Sequence, residues 1–167
     1  MGAPQPRLII RKPKVYYRTA VNEAAGTDTW VDVSGYFRSV EIMPKREKIP
    51  TPGYGTVGYR NDKGDPTHQI KLVAYHSRAW TDFSSLMVAE LNSDDPTGFM
   101  VKYRGEVATS TDNPYRKVAV MMIDLGSLGG QQNTPSSLDI TLDIEGQILK
   151  STTAGDPPAI GTFSVEM

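Results

Sequence analysis

The chain contains no cysteine, which excludes disulfides and thiolate metal sites. It also lacks a surplus of either charge. Eighteen Lys and Arg against nineteen Asp and Glu give a formal net charge of -1, so no global field draws it onto nucleic acid or a membrane. No apolar run approaches the roughly 18 residues of a membrane span. The opening Met1-Gly-Ala-Pro-Gln-Pro6 has no apolar signal core, and the expectation is a soluble protein without an export signal. There is no Gly-x-Ser-x-Gly elbow. Gly126-Ser-Leu-Gly-Gly130 lacks the lysine and the strand-turn-helix setting of a phosphate loop and reads as a flexible turn. No internal repeat is evident. The 167 residues suit one domain, large enough to bury roughly two thirds of its unfolded surface.

What is present is alternation with a period of two. In Ser137-Leu-Asp-Ile-Thr-Leu-Asp-Ile-Glu145, Leu138, Ile140, Leu142 and Ile144 share one face, while Asp139, Thr141, Asp143 and Glu145 share the other. Such a run is a strand with one buried and one wet face. The wet face is acidic, and its carboxylates repel each other at about 7 Å per step. Trp30–Val33 and Phe37–Met43 form a second strand-like stretch, joined by Ser34-Gly35. Further strands are predicted at Val15–Ala20, Gln69–His76, Phe99–Ala108, Arg116–Leu125 and Leu138–Ile148, with a short edge strand at Thr162–Val165. Asn22–Thr27 and Asp112-Asn-Pro114 read as turns. The period changes once. Trp80, Phe83, Leu86, Met87 and Leu91 recur at spacings of three and four, predicting a helix over Thr81–Asn92, stopped before Pro96. Eight or so short strands with one flanking helix make the fold class mainly β, a sandwich or barrel.

Pro44–Pro66 is the unusual segment. Four prolines and four glycines surround Lys45-Arg-Glu-Lys48, Tyr54 and Tyr59. Loops of this length in compact domains are commonly functional, and two tyrosines favour one that packs on something. The basic cluster is too small for a nucleic-acid footprint; it suits an acidic surface on a neighbour, or water.

Catalytic and metal readings fail on spacing, and no cofactor is expected. His68 and His76 would lie about 26 Å apart on one strand, too far to share a metal, and read as surface residues. Asn61-Asp-Lys-Gly-Asp65 lacks the alternation and closing glutamate of a calcium loop and reads as a tight turn. Carboxylates about 7 Å apart would fit an inverting glycosidase, yet any acidic strand face supplies that separation. Trp30, Tyr54 or Tyr59 as stacking platforms leave open a carbohydrate-binding sandwich, with Trp80 and Phe83 reading as core.

Taken in order, these segments are familiar. The Trp30–Ile42 stretch, the Pro/Gly-rich loop, the strand into the helix at Trp80–Asn92, the strand pair Phe99–Ala108 and Lys117–Leu125, and the closing strand Leu138–Gly146 resemble the major tail (tail tube) proteins of long non-contractile-tailed bacteriophages. The likeness covers about residues 15 to 150. Residues 1–13, with three prolines and Arg7, Arg11 and Lys12, read by themselves as an extended N-terminal arm; the resemblance implies a tail-tube domain over 14–150, and 151–167 is a C-terminal extension outside the likeness. It implies hexameric rings stacked into a tube, their strands joining a ring-wide inner barrel around passing double-stranded DNA. Tape-measure, tail-tip and terminator proteins would be the other partners, and the virion the location, after assembly in the host cytoplasm. Ser39, Glu41, Asp139, Thr141, Asp143 and Glu145 would face the lumen. Lys45, Arg46, Lys48, Ile49, Tyr54, Tyr59 and Arg60 would meet a neighbouring subunit. A terminator or baseplate ring of the same fold is the nearest alternative.

Overall fold

The computed structural model describes residues 12–52, 59–75, 87–125, 137–159 and 161–167. Among the described residues, ten strands, two short α-helical segments and a 3-10 turn follow in the order β1 (Lys14–Arg18), α1 (Ala20–Ala25), β2 (Val31–Asp32), the 3-10 turn (Ser34–Tyr36), β3 (Phe37–Met43), β4 (Arg46–Pro52), β5 (Tyr59–Pro66), β6 (Gln69–Tyr75), α2 (87–91), β7 (Thr97–Lys102), β8 (Arg116–Val120), β9 (Ser137–Ser151) and β10 (Phe163–Val165). The chain is mainly β, as the alternation predicts. No described helix is long and apolar enough to cross a membrane.

All pairing between strands is antiparallel. The path β2-β1-β7-β8-β9-β6-β3 runs through the long strand β9, with β10 also paired to it. The first half of β9 pairs with β6, from Gln69↔Asp143 to Tyr75↔Ser137. Its second half pairs with β8, from Val120↔Ile144 to Arg116↔Lys150. The register shifts between Lys117 and Ala119, close to Gly146, whose φ of 77° suits a residue without a Cβ. Beyond that point β9 belongs to the other sheet. The two sheets close over one core: Ile140, Leu142, Ile70, Leu72, Val40 and Ile42 from one side meet Ile144, Ile148, Val118, Val120, Phe99, Val101 and Tyr17 from the other. Each such side chain, fully buried, is worth about 1.5–3 kcal/mol.

The sheet that carries β1, β7 and β8 is covered on its outer face as well. Tyr16, Met100 and Tyr115 form a second cluster with Trp30 and Phe163 against it. All six residues of β7 are therefore buried.

The segment predicted as a turn at Asn22–Thr27 is largely helix. Thr19 caps α1, its hydroxyl accepting from Asn22 N–H at 3.3 Å, and Gly26 closes the helix. A single turn is too short for a periodicity to register, and only its caps marked it. The predicted Thr81–Asn92 helix is seen over 87–91; its first part lies outside the described residues. Met87 joins the core, but Leu91, expected on the apolar stripe, is exposed and Glu90 is buried in its stead. The reason is polar. The Glu90 carboxylate accepts the Ala20 N–H of α1 at 2.7 Å and the Thr97 hydroxyl at 2.9 Å, satisfying an N–H that the helix itself cannot.

The long loop is the larger correction. Most of 44–66 is a hairpin, β4 paired with β5 in a separate two-stranded sheet. Asn61–Asp65, read as a tight turn, is strand. With prolines and charged residues exposed along it, the hairpin has no apolar alternation to read, and proline is tolerated where one strand side has no partner. The predicted strands at Phe99–Ala108 and Arg116–Leu125 stop early, at Lys102 and Val120. Residues after 150 fold back: β10 pairs with β9, and Met167 and Ile148 exchange backbone hydrogen bonds at 2.7 and 3.2 Å.

Candidate assembly surfaces

Three strands, β3, β6 and β9, turn alternate residues outward. The registers Glu41↔Lys71↔Thr141 and Ser39↔Val73↔Asp139 place four of the sequence-selected residues in two rows across one sheet face. Asp143 lies opposite Gln69 in the next row. Ser39, Glu41, Asp139, Thr141 and Asp143 are all exposed. Glu145 is exposed on the same side of β9 but beyond the switch, opposite Ala119 of β8. There it lines a small cleft with Glu23 and Lys117.

The face is less acidic than the strand alone suggests, because Lys71 stands between Glu41 and Thr141. Gln69 donates to Asp143 at 2.9 Å and accepts from Lys45 Nζ at 3.0 Å. A polar chain thus runs from the acidic row to the root of the hairpin. At the far edge of this sheet, Ile42 N–H donates to the Tyr103 hydroxyl at 3.2 Å. Burial pushes the Tyr103 phenol above its usual range, so it stays protonated.

The hairpin bears Lys45, Arg46, Lys48 and Ile49, all exposed. Tyr54 lies outside the described residues. Tyr59 and Arg60 are placed as strand partners of Pro52 and Thr51. Lys48 and Lys63 are directly opposed across the two strands, a like-charge pairing that costs stability on its own. Between the hairpin root and β9 lies a cleft of about 770 Å³, lined by Lys45, Arg46, Lys48, Lys63, His68 and Gln147 among others. His68, expected at the surface, is buried at 6 % exposure. His76 lies outside the described residues.

Sequence reasoning missed the outer face of the other sheet. Arg18, with a side chain 1 % exposed, holds Glu23 through an ion pair and a 2.6 Å hydrogen bond, and Glu23 also pairs with Lys117 at 3.2 Å. The Arg18 guanidinium stacks on Trp30 at 4.4 Å, with Lys117 at 5.9 Å from the same ring. Trp30, a stacking platform in the carbohydrate reading, is already engaged by cations. Lys102, 1 % exposed, donates to Val107 O at 2.9 Å and sits over Tyr115 at 5.0 Å. Tyr115 in turn donates to Asp156; burial, then that carboxylate, push its phenol far above the ordinary value. The alternation of Tyr16-Tyr17-Arg18 was the available signal, since period two puts Arg18 on the face away from Tyr17. No group of three or more His, Cys, Asp or Glu able to hold a metal occurs among the described residues.

No family model and no curated protein matches the chain. Solved structures share its fold. A chain of the anti-feeding prophage baseplate, determined by cryo-electron microscopy with 6-fold symmetrisation, superposes at a TM-score of 0.51 with 12 % identity, covering 87 % of this chain and 95 % of that one. A chain from the sheath/tube terminator of an extracellular contractile injection system, PVC in the extended state, matches at a TM-score of 0.49 with 13 % identity, over 89 % and 99 % of the two chains. The first of these is a likeness of fold.

Proposed function

We propose that the chain is a non-enzymatic structural subunit of a phage-like tail, and in particular a tube subunit whose six-membered rings stack around a DNA channel. The observation that carries the reading is the β3–β6–β9 face, which gathers Ser39, Glu41, Asp139, Thr141 and Asp143 onto one exposed sheet beside the hairpin. The fold shared with a baseplate chain supports it. In this reading the polar face, with Glu145 at its margin, lines the lumen. Its carboxylates repel phosphate and keep the passing duplex from binding the wall. The hairpin, with Lys45, Arg46, Lys48, Ile49, Tyr54, Tyr59 and Arg60, meets the neighbouring subunit, and strand edges that would be liabilities in a monomer pair between copies. Tail-tip, tape-measure and terminator proteins are the further partners, and the virion is the destination.

Negative-stain electron microscopy of the purified chain, alone and with tail-tip components, tests this. Stacked rings or tubes with a central hole are expected. A particle that stays monomeric with tail-tip components present overturns the reading. Deleting Ile49–Arg60 should leave a folded domain that no longer polymerises; tubes formed by that variant would remove the hairpin from the contact. The six-fold baseplate neighbour favours one second reading, a ring seated at the end of a tube. Its mark is rings that never stack.

A further inference from the structure

The chain enters the hairpin at Lys45 and leaves it at Thr67 and His68. Both backbone groups of Lys45 are held there. Its carbonyl accepts from Thr67 N–H at 2.9 Å, and its N–H donates to His68 Nδ1 at 3.0 Å. A backbone N–H can only donate, so Nδ1 must be unprotonated and the ring proton lies on Nε2. The histidine is itself fixed, because its carbonyl accepts from Ile144 N–H of β9 at 2.8 Å. This imidazole therefore ties the root of the hairpin to the shared strand of the sandwich, and it does so in one protonation state only.

We infer that His68 is a proton-operated latch on the hairpin: neutral, it holds Lys45 and seats the hairpin; protonated at Nδ1, it presents N–H against N–H and releases the root. The ring is buried while Lys45 is exposed beside the cleft, so a released Lys45 N–H turns to solvent and its exchange reports the release. Charged groups of the neighbouring elements line the same cleft or adjoin its residues in sequence. Lys45, Arg46, Glu47 and Lys48 lie on the entering strand, and Asp62 and Lys63 on the leaving strand. From β9 come Asp143 and Glu145, the neighbours of Ile144. Glu166, next to the cleft residue Met167, is engaged by Arg116. The latch gives the tube reading its regulation and rests on it: acid would loosen the assembly contact while leaving the sandwich folded.

The test is amide hydrogen exchange at Lys45 in the full chain, read by NMR alongside the imidazole nitrogen shifts. His68→Asn is the comparison, since its side-chain oxygen can accept where Nδ1 did but does not titrate. In the unmodified chain, the Lys45 protection factor, corrected for intrinsic exchange, should fall about tenfold or more on acidification, in step with the imidazole nitrogen shifts that report protonation of the ring. In His68→Asn it should stay flat. The inference is overturned if the ring titrates while Lys45 protection holds, or if both proteins lose protection alike. Should His68→Asn fail to fold, the coincidence of ring titration and Lys45 release in the unmodified chain decides alone. None of these readouts requires polymerisation, so a failed latch and a failed tube reading are told apart: the first shows at Lys45, the second in the micrographs.

Discussion

Strands β7 and β4 differ in almost every respect except their backbone. In β7 all six residues are buried, and it has a partner on each side, β1 and β8. In β4 every residue from Arg46 to Pro50 is exposed, and the strand pairs with β5. An isolated two-stranded hairpin is marginal in water, and this one also opposes Lys48 to Lys63. Burial and two flanking ladders account for the first region. The second keeps its geometry with little burial of its own, through its ladder and its root at Lys45, Thr67 and His68. A chain that maintains such a feature fits one whose work is done against something outside it, as the proposed assembly contact requires.

Perturbations of the two regions should therefore separate cleanly. The largest effect is expected in the core: Phe99→Ala, at a fully buried site, should cost about 3–5 kcal/mol in urea unfolding. Next is Glu23→Gln. It strips the carboxylate from Arg18 and Lys117, leaving a buried guanidinium without its counter-ion, and should cost about 3 kcal/mol. Gly98→Ala should act at the same place, since a Cβ there would stand 2.3 Å from Glu23 Oε2 and 3.3 Å from the Trp30 ring; lost Arg18–Glu23 contact in a crystal structure would mark it.

Smaller effects come from the periphery. The Arg116 guanidinium, bonded at 2.7 and 2.9 Å, holds the Glu166 carboxyl below its ordinary value of 4.5. A lowered folded-state value means stability that is present above the unfolded value and lost as pH falls through the folded one. Glu166→Gln should thus cost about 1 kcal/mol or less at neutral pH, and the difference from the parent in thermal melts should vanish in acid, below the folded value. Smallest of all, Lys48→Glu should stabilise the hairpin by about 0.2–1 kcal/mol by turning repulsion toward Lys63 into attraction. Slower exchange of the β4 and β5 amides is the readout, with no change in core unfolding. If Lys48→Glu moved the global transition as far as Phe99→Ala does, the contrast between the regions would be gone.

The same contrast explains what could be read in advance. Strands β3, β6 and β9 alternate cleanly because one face meets the core and the other water, so their existence and their outward residues were legible, although β9 runs on to Ser151, past the expected end at Ile148. The strands buried on both faces were harder. Lys102 and Arg18 break the expected pattern, since their charges are satisfied by backbone carbonyls, aromatic faces and carboxylates distant in sequence. The hairpin was opaque for the opposite reason: with neither face buried, β4 and β5 have no apolar period to betray them. His68 was read as a surface residue, yet it lies buried just before β6, and its partner Lys45 is 23 positions away.

Strand β9 also has a mechanical meaning. Its fifteen residues are hydrogen-bonded to β6 along one stretch and to β8 and β10 along the next. A pull applied across the β6 ladder reaches the far sheet through the continuous backbone of β9, not through side-chain packing alone. The halves of the sandwich cannot part unless that strand is torn from one of its ladders, so the domain should yield as one unit under tension, which the proposed place in a stacked tube would call for.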